Sequence, residues 1–200
     1  MPPRFIAKQL SHPRGLGGWL ARLGMNRGNA GINAFLLEKM NLNAADDVLE
    51  VGFGGGINIR RFLDEAASFV GVDRSVDVVK SAAARFAAEA HRATFAVADV
   101  EDLPFEDARF SKVATVHTVY FWNSLERGFD EIYRTLRPGG LLAVGFLPKE
   151  RMDRMGMPDD IFSSRDPQKL SAAAEGAGFS VELLAGPPPA SWLVMLCRKR

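Results

Sequence analysis

The segment Val48-Leu49-Glu50-Val51-Gly52-Phe53-Gly54-Gly55-Gly56 joins a short apolar run, one carboxylate and a cluster of glycines. A strand that enters a glycine turn and leaves as a helix builds a ligand cradle. Glycine lets the backbone turn sharply and lets a ligand lie against bare main chain. The first N–H groups of the following helix have no intrahelical partner and are available to that ligand. Spacing narrows the choice. A dinucleotide turn needs G-x-G-x-x-G, and counted from Gly52 and Gly54 its third glycine falls at Ile57. The chain reads G-x-G-x-G instead, through Gly52, Gly54 and Gly56. Glu50 lies inside the strand, where a carboxylate is costly to bury without a partner. Taken alone, the segment is also compatible with a plain glycine turn and a partly exposed Glu50.

Two further acids fall in register with this turn. Asp73 ends Val70-Gly71-Val72-Asp73-Arg74-Ser75, 21 positions after Gly52. A carboxylate at that point of an α/β sheet can accept both hydroxyls of a ribose, or it can cap the helix that follows. Asp99, in Ala98-Asp99-Val100-Glu101-Asp102-Leu103-Pro104-Phe105, can accept from an adenine amino group while a neighbouring backbone N–H donates to the ring. Glu101 and Asp102 are expected to face solvent. A fourth segment, Val116-His117-Thr118-Val119-Tyr120-Phe121-Trp122, offers His117 and Tyr120 as a general base or as groups that orient a nucleophile. Its aromatic residues are equally suited to lining a pocket without proton transfer.

These residues need a frame that brings four loops to one edge. Short apolar runs near 47–51, 69–72, 94–98, 112–116, 141–146, 180–184 and 192–197 read as strands. Between them, 75–89 carries Val78, Ala82 and Phe86 on one helical stripe. The stretch 124–136 carries Leu125, Phe129, Ile132, Tyr133 and Leu136, and Arg137-Pro138-Gly139-Gly140 stops it. A third helix starts at Asp166-Pro167 and ends at Gly178. Alternating strands and helices give a doubly wound, Rossmann-like α/β sheet. The proline-rich connection 185–190 is too short for a crossover helix, so the last two strands must be antiparallel.

Bulk properties exclude several classes. The 200 residues suit a single domain with a substantial core. A hydrophobic content of 47% and a charged content of 24% are those of an ordinary soluble protein. A net charge of +1 argues against nucleic acid as a partner, although residues 1–29 form a local basic segment. Cys197 stands alone and cannot form an internal disulfide. No signal peptide or membrane-spanning run is visible, which points to a cytoplasmic location. His12, His91 and His117 are too scattered to suggest a metal site.

The ordered set Leu49-Glu50-Val51-Gly52-x-Gly54-x-Gly56, Gly71-Val72-Asp73, Ala98-Asp99-x-x-x-Leu103-Pro104-Phe105 and Leu136-Arg137-Pro138-Gly139-Gly140 resembles the class I S-adenosylmethionine-dependent methyltransferases. The likeness is to their small ubiquinone-biosynthesis-like, type 11 group, and it covers residues from about 41 onward. It implies a seven-stranded sheet with a reversed last strand and S-adenosylmethionine as methyl donor. It places the loop of Gly52, Phe53, Gly54 and Gly56 at the methionine part of the donor and counts Glu50 among the donor-binding residues. Asp73 would hold the ribose hydroxyls, Asp99 and the Val100 N–H would hold the adenine, and Arg74 is a further donor-binding candidate. His117 would sit beside the sulfonium and the acceptor, with Tyr120 as a second catalytic candidate. Phe53 and Gly55 make this loop bulkier at one point and looser at another.

The acceptor is less legible. No Asp/Asn-Pro-Pro-aromatic motif follows the fourth strand, and no cysteine nucleophile stands there. A small or lipid-like molecule is the expected acceptor. Alternatives are a donor-binding protein without transferase activity, a protein or RNA methyltransferase, and a nicotinamide-dependent oxidoreductase, against which Ile57 and Glu50 speak. The chain divides into an N-terminal lid or helical segment, 1–40, and a donor-binding domain, 41–200. Leu10, Leu16, Trp19, Leu20 and Leu23 in the first could close over the donor or touch a membrane surface. Residues 148–165, with Met152, Met155, Met157, Ile161 and Phe162, read as a second lid or a surface loop. Oligomeric state has no signature in the sequence.

Overall fold

A computed structural model describes residues 29–156, 158 and 160–200. The expectations for residues 1–28 and for Met157 lie outside the described residues. In chain order the elements are α1 (Ala30–Met40), β1 (Asp47–Val51), α2 (Ile59–Glu65), β2 (Ser68–Asp73), α3 (Val76–Arg85), β3 (Ala93–Val97), β4 (Phe110–Val116), α4 (Leu125–Thr135), β5 (Leu136–Phe146), α5 (Lys149–Met155), α6 (Pro167–Gly176), β6 (Phe179–Ala185) and β7 (Leu193–Lys199). Short 3-10 turns follow α3 at Ala87–Glu89 and β4 at Val119–Phe121.

The seven strands form one sheet in the order β3-β2-β1-β4-β5-β7-β6. The pairs β1–β2, β1–β4, β2–β3 and β4–β5 are parallel. β7 runs antiparallel between β5 and β6, as the short connection requires. The strand order reverses between β1 and β4. The loops leaving the carboxyl ends of β1, β2, β3 and β4 therefore open around one crevice.

Helices cover both faces. On one, Ile32 and Leu36 of α1, Phe62 of α2 and Val78 of α3 pack with Val48 and Phe69. On the other, Phe129 and Ile132 of α4 and Leu170 of α6 pack with Leu49, Val51 and Leu142. Full burial of such a side chain contributes about 1.5–3 kcal/mol. Ile32, Leu36 and Met40, all essentially unexposed, thus anchor α1 on the sheet within the same apolar layer as α2 and α3. Side chains alternate along a strand. Glu50 shares the parity of Val48 and turns toward the α1–α2 face, where it is 3% exposed.

Three local expectations change. The helix expected over 124–136 ends at Thr135, and Leu136 already pairs with Phe110 as the first residue of β5. Pro138 disfavours helical geometry at Arg137, so the chain is extended there. The helix expected over 75–89 breaks at Phe86 and resumes only as a 3-10 turn. The helix beginning at Pro167 ends at Gly176 rather than Gly178, and Asp166 caps it by accepting from the Gln168 and Lys169 N–H groups at 2.9 and 3.2 Å. Among the described residues, no helix is long and apolar enough to cross a membrane.

Candidate functional site

The crevice at the ends of β1, β2, β3 and β4 holds a cavity lined by Glu50, Gly52, Phe53, Gly54, Asp73, Arg74, Asp99, Val100 and His117. Nine of the expected donor-site residues thus meet around one space. Gly56 does not line it. Its φ of 67° and its closeness to Ile59 make it the turn into α2. The ring of Phe53 packs edge-on against Phe95, with centroids 5.6 Å apart.

The glycine loop is shaped by what lies on either side. At Gly52 an added Cβ would collide with the methyl of Thr118, so the β1 and β4 loops touch there. At Gly54, with φ 47°, an added Cβ would have only the Gly52 carbonyl oxygen beside it, at 4.0 Å. That bare main chain is a cradle. Asp73 pins it, accepting from the Gly54 N–H at 3.0 Å through Oδ2 and from the Ser75 N–H at 2.9 Å through Oδ1. Asp99 accepts from the Glu101 N–H at 3.1 Å, and its other oxygen lies 3.4 Å from Arg74 Nε. A carboxylate oxygen can accept more than one hydrogen bond.

Glu50 is the unusual group. Its Oε1 accepts from Asn58 Nδ2 at 2.7 Å, while its Oε2 is buried with no hydrogen-bond partner among the described residues. Burial, reinforced by the nearby Asp73 charge, pushes its carboxyl up to about 8, against the Asn58 hydrogen bond that favours the ionised form. A buried, half-satisfied carboxylate is costly and suits a cationic ligand group.

At the end of β4, His117 adopts φ 58°, in the left-handed region that few residues other than glycine enter. Such outliers mark places where the surroundings over-determine the backbone. Its Nδ1 lies 3.3 Å from the Tyr120 hydroxyl, and burial pulls its ring down to about 4. Burial thus favours the neutral imidazole and makes it a weaker base than an ordinary histidine.

Tyr120 does not line the cavity. It is 3% exposed, accepts from the Leu147 N–H at 2.5 Å, and burial raises its phenol well above the usual range. It lies against His117 rather than among the residues that line the cavity. Phe121, Trp122, Thr118 and Ile57 form the wall instead. The expectation that the aromatic run lines a pocket thus holds for its last two members.

The described residues of the segment 148–165 include side chains that back this wall. Met152 and Phe162 are buried, and Phe162 packs on Phe121 at 4.9 Å. Arg165 donates to the Val119 and Trp122 carbonyls at 2.9 and 2.6 Å. Glu101, expected to face solvent, is buried and accepts from the Asn123 and Ser124 N–H groups at 2.6 and 3.0 Å. It ties the turn after β3 to the loop after β4. Asp102 is exposed as expected.

Sequence reasoning missed Asn33 and Asn58, both buried and both lining the cavity. Asn58 had a local signal, directly preceding α2 in the glycine motif. Asn33 had none, since only tertiary packing carries α1 to the crevice.

The methyltransferase-domain family matches residues 49–144, which hold the glycine loop, Asp73, Asp99 and His117. An uncharacterised methyltransferase of Bacillus subtilis, YdaC, is 30% identical over 124 residues, covering 61% of this chain and 67% of that protein. A malonyl-acyl-carrier-protein O-methyltransferase of Pseudescherichia vulneris is 33% identical over 119 residues, 57% of this chain and 46% of that protein. The chain thus spans two thirds of the first relative and less than half of the second. A solved complex of the Haloferax volcanii Trm112 methyltransferase activator with a methyltransferase contains a chain of the same fold. Its TM-score is 0.79 at 21% identity, with 90% of this chain and 94% of that chain covered.

Proposed function

Because the chain belongs to the class I S-adenosylmethionine-dependent methyltransferases, in their type 11 group, we propose that it methylates a small, rather apolar or lipid-like molecule in the crevice above β1 and β4. One observation carries the donor side: three carboxylates, Glu50, Asp73 and Asp99, line one cavity around a bare glycine cradle. Asp73 would hold the ribose hydroxyls, with Arg74 beside it. Asp99 and Val100 would hold the adenine. Glu50, through its unpaired Oε2, would face the ammonium of the methionine part, with Gly52, Phe53 and Gly54 along its length. When bound, S-adenosylmethionine supplies a methyl group on a positively charged sulfur, a good leaving group for an in-line displacement.

The acceptor reading rests on Phe121, Trp122 and Ile57, apolar surface beside the neutral His117. A charged peptide or nucleic-acid acceptor would find few partners on that wall. His117 would orient the acceptor rather than remove its proton, and Tyr120 would hold His117 in place. Orientation alone contributes on the order of 7–11 kcal/mol in well-placed reactions.

Two measurements test this. S-adenosylmethionine and its demethylated product should raise the melting temperature, and NADH should not. A ligand that binds the native state adds about 2.7 kcal/mol at a hundredfold excess over its Kd. Radiolabelled donor incubated with fractionated cell extract should then place label in solvent-extractable small molecules. Label confined to precipitated protein or RNA would overturn the acceptor assignment, and absence of donor binding at millimolar ligand would overturn the donor assignment.

A further inference from the structure

We infer that Asn33 of α1 is a positioning residue for the amino-acid end of the methyl donor, acting through the direction of the Asn58 side-chain amide on Glu50. The inference rests on the donor reading above and extends it to a helix outside the matched segment 49–144.

The argument is one of hydrogen-bond polarity. Asn33 Nδ2 donates to the Asn29 carbonyl at 2.8 Å. A carbonyl can only accept, so the Asn33 amide must turn its NH2 toward residue 29. Its Oδ1 then faces Asn58 and can only accept in turn. Asn58 Nδ2 donates to it at 2.7 Å, and to Glu50 Oε1 at 2.7 Å. Both N–H bonds of one amide nitrogen are thereby used, and the direction of every bond is set from the end of α1. All three side chains are buried, so water does not offer an easy substitute.

Reversing the Asn58 amide would set its carbonyl oxygen against a carboxylate, which Glu50 could tolerate only by keeping its proton. Asn33 blocks that arrangement. The Asn58 N–H instead supports the ionised carboxylate, and the unpaired Oε2 is left for a cationic group. Few other groups can substitute. Across the neighbouring strands Glu50 stands opposite Gly71 and Ala114. Among the described residues the one charge that acts on it is Asp73, which disfavours ionisation.

The test uses two ligands on the whole chain. S-adenosylhomocysteine carries the amino-acid end, while 5′-methylthioadenosine lacks it and keeps the adenosine. Titration calorimetry at pH 7 should show Asn33→Leu weakening S-adenosylhomocysteine about tenfold, the loss expected for one hydrogen bond to a charged group. 5′-Methylthioadenosine should stay within about twofold. The pH at which S-adenosylhomocysteine binding tightens should move upward in the variant, since Glu50 then holds its proton longer. Asn58→Leu should give the same selective loss, and the double variant should be no worse than Asn58→Leu alone, because the two residues act in series.

Equal weakening of both ligands, an unchanged ratio, or additive losses in the double variant would overturn the inference while leaving the donor reading intact. A wild-type protein that binds neither ligand would overturn both. Should Asn33→Leu not fold, Asn33→Ser, whose hydroxyl is too short to reach Asn58, replaces it with the same expected ratio.

Discussion

Replacing Glu50 by glutamine should stabilise the ligand-free protein while weakening the donor. The sign follows from the raised carboxyl, pushed from its ordinary 4.5 up to about 8, first by burial and then by Asp73. Below pH 4.5 the carboxyl is protonated in folded and unfolded chains alike. Above it, the unfolded chain releases the proton while the folded chain keeps it, so stability falls as pH rises, until about pH 8. The loss is about 1.4 kcal/mol per pH unit, or roughly 3 kcal/mol by pH 7. Glutamine carries no such penalty, and its Oε1 can still accept from Asn58. For a chain of this size each kcal/mol moves Tm by about 2–4 °C. Glu50→Gln should therefore melt roughly 6–12 °C above wild type at pH 7, with little difference at pH 5. Scanning calorimetry at pH 5, 6, 7 and 8 reads this directly. The same variant should lose most of the Tm rise that S-adenosylhomocysteine produces in wild type, because the ammonium meets a neutral amide. Equal melting temperatures at all four pH values, or a gap that does not widen with pH, would refute the reasoning.

Asp73→Ala removes the acceptor for the Gly54 and Ser75 N–H groups and the carboxylate proposed to hold the donor ribose. Its Kd for donor should rise roughly ten- to a hundredfold, against less than about twofold for the exposed Asp102→Ala, both by calorimetry. Glu101→Ala leaves two backbone N–H groups unpaired and should cost roughly 2–3 kcal/mol in denaturant unfolding. Tyr120→Phe, which deletes the bond to the Leu147 N–H, should keep donor affinity and lower turnover, read as unchanged Kd with reduced kcat. With His117 pulled down to about 4, the pH–rate profile should show no acid limb near the ordinary histidine value of ~6.5. A limb at that position would restore His117 as a base.

The gap between sequence and structure is widest at His117 and Tyr120. Their order along the chain places both after β4, but a 3-10 turn starting at Val119 sends the tyrosine ring inward. His117, Phe121 and Trp122 reach the cavity, and Tyr120 does not. Spacing along a turn does not reveal which side chain meets Leu147, because that partner arrives from β5. Glu101 was misjudged for the same reason. An acid in a polar run reads as solvated, yet the loop after β4 brings two N–H groups onto it.

What the sequence determined by itself was the frame and the acids and glycines that gather at its crevice. Apolar runs of strand length, helical stripes and a short proline-rich connection are local signals. They recovered the seven strands, the antiparallel β7 and the glycine loop with Asp73 and Asp99 in register. What only the tertiary structure decided was the environment of each acid. Glu50 became a buried, half-partnered carboxylate because its parity along β1 turned it toward α1, and because α1 carried Asn33 to Asn58. Burial and hydrogen-bond polarity depend on groups that are distant along the chain. Their consequence for charge is therefore set by packing, not by the local pattern in which the residue stands.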